Sequence, residues 1–139
     1  MLFLQSAIDK MDDNFGRAAI IENGSPLFSG GTASGESQIR RWMLENDLIE
    51  AIIALPTDLF YNTGIATYIW VLSKNKRAER KGKIQLIDAS SFFHKLRKAL
   101  GDKKKWNISG RPQHRNEALC RICRKTSTAR FYDNEEFHF

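Results

Sequence analysis

The chain has 139 residues, of which 42% are hydrophobic and 27% are charged, as is ordinary for one globular domain or a piece of a larger protein. No apolar run approaches the ~20 residues of a membrane span, no signal peptide is evident, and two cysteines are too few for a disulfide scaffold. We therefore expect a cytoplasmic protein without membrane contact. The net charge of +6 is uneven, because residues 94–130 hold twelve Lys/Arg against two Asp/Glu, which indicates a solvated segment or nucleic-acid contact.

The N-terminal part of the chain predicts a helix followed by a buried strand. Apolar residues recur at helical spacing from the start of the chain, at Phe3, Ala7, Ile8 and Met11. The stretch "DDNFG" ends this helix, with Gly16 as the breaker. The run "RAAIIE" that follows is typical of a short buried strand.

A loop rich in Gly and Ser, "NGSPLFSGGTASG", leads into a second predicted helix, "ESQIRRWMLEND". Ser34 is expected to cap this helix, with Glu36 in the first turn, where the helix dipole favours an acid. The residues predicted to face the core are Ile39, Trp42 and Met43. The loop resembles a phosphate-binding loop only loosely, and a flexible connector with a helix cap is the more common interpretation.

Two basic residues of the second helix, Arg40 and Arg41, are candidates for contact with DNA phosphates. A helix face that is simply solvated is the more common explanation for such a pair, because most charged side chains face water. Both interpretations place the two guanidinium groups at the surface of the protein.

Three further strands follow in the sequence, which gives an α/β order. They are predicted from the runs "LIEAIIAL", which Pro56 ends, "IATYIWVLS" and "IQLIDAS". Within the second of these runs, Tyr68 and Trp70 alternate as expected for core residues of a half-buried strand. The turn "PTDLFYNTG" separates the first two of these strands.

The periodic pattern ends near residue 92. We predict a domain over residues 1–92 and a poorly ordered basic tail over residues 93–139, with a short helical start and little periodicity after it. Within the tail, "CRIC" and His114 suggest zinc, but zinc usually has four ligands, and the nearest further candidate is the single residue His138. We therefore predict no metal site.

Several segments together carry a resemblance to a known family. The most specific are "GRAAIIENGSPLF", "LIEAIIALPTDLFYNTGIATYIWVLSKNK" and "KIQLIDAS", which occur in the right order between residues 1 and 91. In this region the chain resembles the modification (M) subunit of type I restriction-modification systems. Those subunits are N6-adenine DNA methyltransferases that use S-adenosylmethionine.

The resemblance implies a partial Rossmann-like methyltransferase fold, the C-terminal half of the sheet only. In the family, a glycine-containing loop holds the cofactor and an Asn-Pro-Pro-Phe tetrapeptide grips the target adenine. Neither motif occurs in these 139 residues. We therefore expect no catalytic and no cofactor-binding residue in this chain, and poor binding of S-adenosylmethionine. The implied partners are DNA, specificity (S) and restriction (R) subunits, and an upstream methyltransferase half.

Two adjacent aromatic residues, Phe60 and Tyr61, precede the most hydrophobic strand. Enzymes that methylate a base rotate it out of the duplex and hold it between apolar or aromatic faces. The resemblance matches Phe60 to the aromatic residue that stacks on the flipped adenine, with Tyr61 as the second candidate. The alternative is a turn aromatic that caps the core between two strands, since both kinds of residue look alike in a sequence.

Other interpretations of the whole chain remain open at this point. The chain is also compatible with a small nucleic-acid-binding module that works through its basic tail, or with a non-functional remnant of a disrupted gene. The stretch "WNISGRPQHRNEALCRICRKTSTARF" does not look like the family, whereas "DNEEF" after it does. A shift of reading frame that later returns to register would explain this stretch, and a genuine basic arm is the alternative.

Overall fold

A mixed α/β architecture emerges from the computed structural model, which describes residues 1–31, 33–61, 63–100, 103–107 and 129–136. The described helices are α1 (Leu2–Lys10), α2 (Ser25–Phe28) and α3 (Gly35–Glu45), with 3-10 turns at Ala78–Arg80 and Asn134–Glu136. The described strands are β1 (Arg17–Asn23), β2 (Ile49–Ala54), β3 (Thr67–Ser73), β4 (Lys83–Asp88), β5 (Phe93–Leu100), β6 (Lys103–Asn107) and β7 (Ala129–Asp133).

Five of these strands form one sheet with the order β1-β3-β2-β4-β7. The strands β2 and β4 run parallel, and the other neighbouring pairs run antiparallel. The four strands predicted from apolar runs are present, and the mixed α/β fold agrees with the predicted class. The prediction that the first strand is buried is wrong, because β1 lies at the edge of the sheet and its residues alternate between exposed and half-buried. A register shift between Ile49 and Ala51 interrupts the pairing of β2 with β3.

The strand directions define two opposite edges of this sheet. Because β1, β2 and β4 run the same way, their carboxyl ends meet at one edge, at Asn23, Ala54 and Asp88. We call this the carboxyl edge, and the antiparallel strands β3 and β7 begin there. The opposite edge, the amino edge, holds the starts of β1, β2 and β4 and the ends of β3 and β7.

The main hydrophobic core lies between one face of the sheet and the helices α1 and α3. Its buried residues come from both layers: Leu4, Ile8, Met43, Leu44, Leu48, Ile49, Ile52, Trp70, Leu72 and Ile84. The predicted core positions Tyr68 and Trp70 are confirmed, since Trp70 is buried and Tyr68 packs against this cluster. No helix among the described residues is long and apolar enough to cross a lipid bilayer.

Both predicted helices are present, and their predicted faces are confirmed in part, because Ile8 and Met43 are buried and Met11 and Ile39 pack against the core. In α1 the buried residues are Leu4 and Ile8, whereas Phe3 is 77% exposed. In α3 the predicted core residue Trp42 is 39% exposed, while Arg40 is buried. The prediction for Ser34 is confirmed, because its Oγ accepts a hydrogen bond from the Ser37 amide at 3.2 Å and so caps α3.

The C-terminal region contradicts the expectation of a poorly ordered tail wherever the structure describes it. The predicted short helical start is instead strand β5, which pairs antiparallel with β6 in a separate two-stranded sheet. Strand β7 pairs with β4 and extends the main sheet. The Arg80 guanidinium lies 4.9 Å from the centre of the Phe131 ring in β7, and it also donates to Gln85 Oε1 in β4. The Arg80 side chain thereby connects β7 to β4.

Long-range strand pairing explains this difference. The apolar positions of β7 are too few to predict a strand from sequence, and its partner β4 lies more than forty residues earlier in the chain. The division between residues 92 and 93 stays a prediction. The segment 108–128 contains most of the stretch unlike the family and lies outside the described residues. The frame-shift hypothesis concerns this segment, so it stays a prediction.

Candidate functional site

The carboxyl edge brings together the loops that follow β1, β2 and β4. The hydrogen bonds from Leu55 N to Thr67 O (2.9 Å) and from Ala89 N to Ala54 O (3.0 Å) continue the ladder beyond the ends of the strands. These bonds fix the backbone where the loops after β2 and β4 leave the sheet. Ligands of open α/β sheets commonly bind where the carboxyl ends of neighbouring strands meet loops, so this edge is the first place to look for a site.

The loop after β2 presents the predicted aromatic pair. Pro56 is fully buried at its start, and Asp58 adopts a positive φ of 57°. The backbones of Phe60 and Thr63 form an isolated antiparallel bridge, so the chain reverses tightly at Tyr61. Tyr61 is 57% exposed at this reversal, while Phe60 is half-buried.

Gly64 allows this turn to close. A Cβ at position 64 would lie 3.0 Å from Asp58 Oδ1, so a larger residue would force the carboxylate to move. On the far side of the turn, the Ile65 amide donates to Thr63 Oγ1 at 3.3 Å. The turn thus holds its aromatic pair at the sheet edge by local contacts, and its geometry is compatible with both the stacking role and the core-capping role of Phe60.

A third aromatic residue, Phe28, lies at the same edge and was missed from the sequence. It ends α2 in the loop after β1 and is 76% exposed. A Cβ on Gly24 would lie 3.1 Å from the Phe28 ring and 3.4 Å from the Tyr68 ring, so both rings approach the same point of the backbone. The detectable signal was a large aromatic inside an otherwise small and polar loop directly after a strand.

The prediction that Arg40 lies at the surface is wrong. Its residue exposure is only 6%, and its Nη1 donates to Ser29 O at 2.6 Å and to Pro26 O at 3.2 Å. The side chain therefore fixes the loop that carries Phe28, and its burial takes the guanidinium out of reach of DNA phosphates. The signal was helical spacing, because position 40 shares a face with the buried residues Ser37, Met43 and Leu44.

Arg41 does lie at the surface. Its Nε donates to Glu45 Oε1 at 2.7 Å, and both side chains are more than half exposed. The hydrogen bond to Glu45 and the charge of that carboxylate raise the pKa of Arg41 above its ordinary value. Helix α3 leads from the carboxyl edge to the start of β2, and Arg41 lies in its second half. Its position in the fold therefore does not support a common site with Phe60. Its contact with DNA phosphates stays a prediction.

An ionised carboxylate, Asp88, completes the described features of this edge. It ends β4, and its Oδ1 accepts a hydrogen bond from the Ser90 amide at 2.9 Å. The hydrogen bonds from Ser90 lower the pKa of Asp88 below 3.8, so the group is charged at neutral pH. An aromatic ring suits a flat ligand and a carboxylate suits a hydrogen-bond donor, so the residue types found along this edge favour such a ligand over a phosphate.

Metal binding by the described residues receives no support, since they contain no group of three or more His, Cys, Asp and Glu side chains placed to hold an ion. The candidate ligands named from the sequence, Cys120, Cys123, His114 and His138, lie outside the described residues.

Sequence comparisons identify proteins that are similar to this chain. The family described as N-6 DNA Methylase matches residues 1–127, well past the limit of the resemblance at residue 91. The MjaVII type I restriction enzyme methylase subunit of Methanocaldococcus jannaschii is 47% identical over 79 residues, 57% of this chain and 13% of that protein. The HindI subunit of Haemophilus influenzae is 35% identical over 100 residues, 72% of this chain and 21% of that protein.

Solved structures give the same result for the fold. The type I restriction-modification methyltransferase subunit from Streptococcus thermophilus superposes with a TM-score of 0.75 at 28% sequence identity. That match covers 97% of this chain and 26% of the other. The chain thus spans about a fifth or less of the two curated relatives described above and about a quarter of this solved neighbour.

Proposed function

Because the chain belongs to the N-6 DNA methylase family, we propose that it is the part of a type I modification subunit that forms one wall of the adenine pocket. The whole protein would transfer a methyl group from S-adenosylmethionine to the N6 nitrogen of adenine in DNA. The similarity to methylase subunits of type I restriction enzymes supports this proposal. A cytoplasmic location belongs to the same proposal.

The observation that carries the proposal is the aromatic turn at the carboxyl edge. A base rotated out of the duplex needs a flat apolar surface to replace the stacking that it loses. Phe60 is half-buried and therefore anchored, and we assign it the stacking role. Tyr61, which is exposed at the tip of the turn, is the second candidate for this contact.

The chemistry also defines what this chain does not supply. Methyl transfer to N6 requires acceptors that draw the amino hydrogens out of the ring plane and a sulfonium held in line with the nitrogen. The Asn-Pro-Pro-Phe tetrapeptide that performs the first task in this family is absent from the sequence. We therefore assign the cofactor and the acceptors to an upstream methyltransferase half, and the base-stacking wall to this chain.

Partners follow from the same assignment. We propose that the complete protein acts on DNA together with a specificity subunit, which reads the sequence, and a restriction subunit. The relatives named above are described as methylase subunits of type I restriction enzymes, and a subunit of such an enzyme implies companions.

A chimera tests the proposed function directly. The segment of the HindI methylase subunit that matches this chain would be replaced by the corresponding residues of this chain, and transfer of a tritiated methyl group to duplex DNA would be measured with the HindI specificity subunit present. We expect methylation of the HindI site, reduced by Phe60→Ala and retained by Phe60→Trp. A chimera that assembles with the specificity subunit yet methylates no DNA would overturn the proposal.

The isolated chain provides the complementary measurement. Without the cofactor loop and the tetrapeptide, we expect no methylation above a no-protein control and no micromolar binding of S-adenosylmethionine in isothermal titration. Micromolar binding would contradict the assignment of the cofactor site to another segment.

A further inference from the structure

Strands β5 and β6 form a basic hairpin outside the main sheet. Together they contain six Lys/Arg and no Asp/Glu. Three of these cations, Lys95, Arg97 and Lys98, are exposed, and none of the ion pairs among the described residues involves them. A strongly basic ribbon with exposed cations attracts a polyanion electrostatically.

The backbone register of the hairpin is defined near its open end. Lys95 pairs with Lys105 as a direct cross-strand partner, and the flanking pairs are Phe93 with Asn107 and His94 with Trp106. The backbone of the two strands is therefore aligned over residues 93–95 and 105–107, and the register shifts between Lys95 and Leu100.

The hairpin begins at the carboxyl edge, beside the candidate site. Strand β4 ends at Asp88, the Phe92 amide donates to Ala89 O at 3.0 Å, and β5 starts at the next residue. The basic ribbon and the aromatic turn therefore leave the sheet from the same edge. An enzyme that holds a flipped base needs cations on the phosphates next to that base, because phosphate contacts set position while base contacts identify the target.

We propose that the β5–β6 hairpin binds the phosphate backbone of duplex DNA next to the base held at the aromatic turn. The partner depends on the proposed function, which makes DNA the substrate, while the binding surface depends only on the described strands and their charges. A two-stranded ribbon is also one of the shapes that the major groove of DNA admits. Lys95, Arg97 and Lys98 are the phosphate contacts that we assign.

The test measures how salt changes DNA affinity. The full chain would be titrated against a fluorescent 20-base-pair duplex by anisotropy at a series of salt concentrations, since each phosphate contact contributes ~0.9 to the slope of log K against log salt. The triple variant Lys95→Gln, Arg97→Gln, Lys98→Gln is expected to lower this slope by about 2 to 3. The charge-conserving variant Lys95→Arg, Arg97→Lys, Lys98→Arg is expected to keep it.

A second triple variant controls for net charge. Lys10, Arg77 and Lys81 are exposed cations next to the amino edge, and replacing them with Gln removes the same three charges far from the hairpin. We expect the control to retain the wild-type slope. Equal losses of slope in the two Gln variants would show binding by net charge alone and would overturn the proposal, as would wild-type chain that does not bind the duplex.

Two additional measurements separate this proposal from its alternatives. Circular dichroism and thermal melts of all variants identify any loss of slope that comes from unfolding, and the charge-conserving variant then decides the outcome. Vesicles rich in anionic lipid are the second arm, and hairpin-dependent binding to vesicles but not to DNA would overturn the proposal. Neither arm uses methyl transfer, so failure of the chimera would contradict the proposed function and leave this result unaffected.

Discussion

At the amino edge of the sheet, single polar side chains join segments that lie far apart in sequence. Asp47 accepts hydrogen bonds from Lys76 Nζ at 2.5 Å, from Asn134 Nδ2 at 2.9 Å and from the Gly82 amide at 3.0 Å. Lys74 reaches Met11 O and Asp13 in the same way. These bonds span 29 to 87 positions of the chain, so they stabilise the tertiary structure directly.

At the carboxyl edge, several of the described bonds are local instead. Asn23, Thr63 and Asp88 each accept from an amide two residues along the chain. The same edge exposes the aromatic rings of Phe28 and Tyr61. The edges therefore differ in their side-chain hydrogen bonds, which join distant segments at the amino edge and fix local turns at the carboxyl edge, and not in exposed aromatic rings, since Phe15 just before β1 is 86% exposed.

Breaking the amino edge at Lys76 should give the largest effect. The Lys76 side chain is only 1% exposed, and its ammonium pairs with Asp47 and donates to Lys83 O. Lys76→Met keeps the apolar stem but leaves the Asp47 carboxylate without its cation. Because Asp47 is 28% exposed and keeps its bonds from Gly82 and Asn134, we expect a loss near the lower end of the range of about 3–5 kcal/mol that breaking a fully buried pair costs. Urea unfolding of this variant measures the loss, and a change below 0.5 kcal/mol would show that the pair is not structural.

Removing Asn134 should loosen β7 in particular. Its side chain donates to Leu44 O and to Asp47, and its amide donates to Gly82 O. Asn134→Ala keeps the backbone amide bond but removes both side-chain bonds, so the partly buried acceptors Leu44 O and Asp47 lose a donor each, at about 1–3 kcal/mol in total. Hydrogen exchange should then be faster in β7 than in the wild type, with β1 and β3 unchanged. Uniform acceleration in all strands would contradict the view that Asn134 acts on the end of the sheet.

Acid should weaken the amino edge through Asp47. Burial alone would raise the pKa of this carboxyl, but the hydrogen bonds from Lys76, Gly82 and Asn134 and the Lys76 charge outweigh it, so the pKa lies below 3.8. A lowered pKa contributes stability that is present above the ordinary value and is lost as the pH falls through the folded-state value. Unfolding free energies measured below pH 4 should therefore fall less steeply in Asp47→Asn than in the wild type, and parallel curves would exclude this contribution.

The elements at both edges could be predicted from sequence to different extents. Periodic apolar runs predicted four strands and two helices, because each of them buries a face within its own length. The strand β7 depends on a partner more than forty residues away, and no local pattern announces it. Its dependence on long-range pairing is also why the tail was expected to be poorly ordered.

Individual side chains at the candidate site show a second limit. The turn with Phe60 and Tyr61 was predicted correctly as a turn between two strands, since it separates two clear apolar runs. Arg40 was assigned to the surface because charge predicts exposure, whereas its position opposite the Pro26 and Ser29 carbonyls can be seen only in the fold. Buried charged groups satisfied by carbonyls are rare enough that sequence patterns favour the wrong answer.

Phe60→Ala should cost less stability than the substitutions at the amino edge, and it separates the two roles considered for this residue. The core residue Ile53, in β2, is 4% exposed, and Ile53→Ala should cost about 2–5 kcal/mol of unfolding free energy. If Phe60 stacks on the flipped base, Phe60→Ala should cost clearly less stability, while base binding in the chimera weakens by about 1–3 kcal/mol. If Phe60 instead caps the core, the two variants should unfold at similar urea concentrations.

Tyr61→Ala is the matched control, because Tyr61 is already 57% exposed and its removal should leave stability unchanged. An equal loss of stability in Phe60→Ala and Ile53→Ala would therefore reject the stacking role and leave Phe60 as a structural residue at the base of the turn.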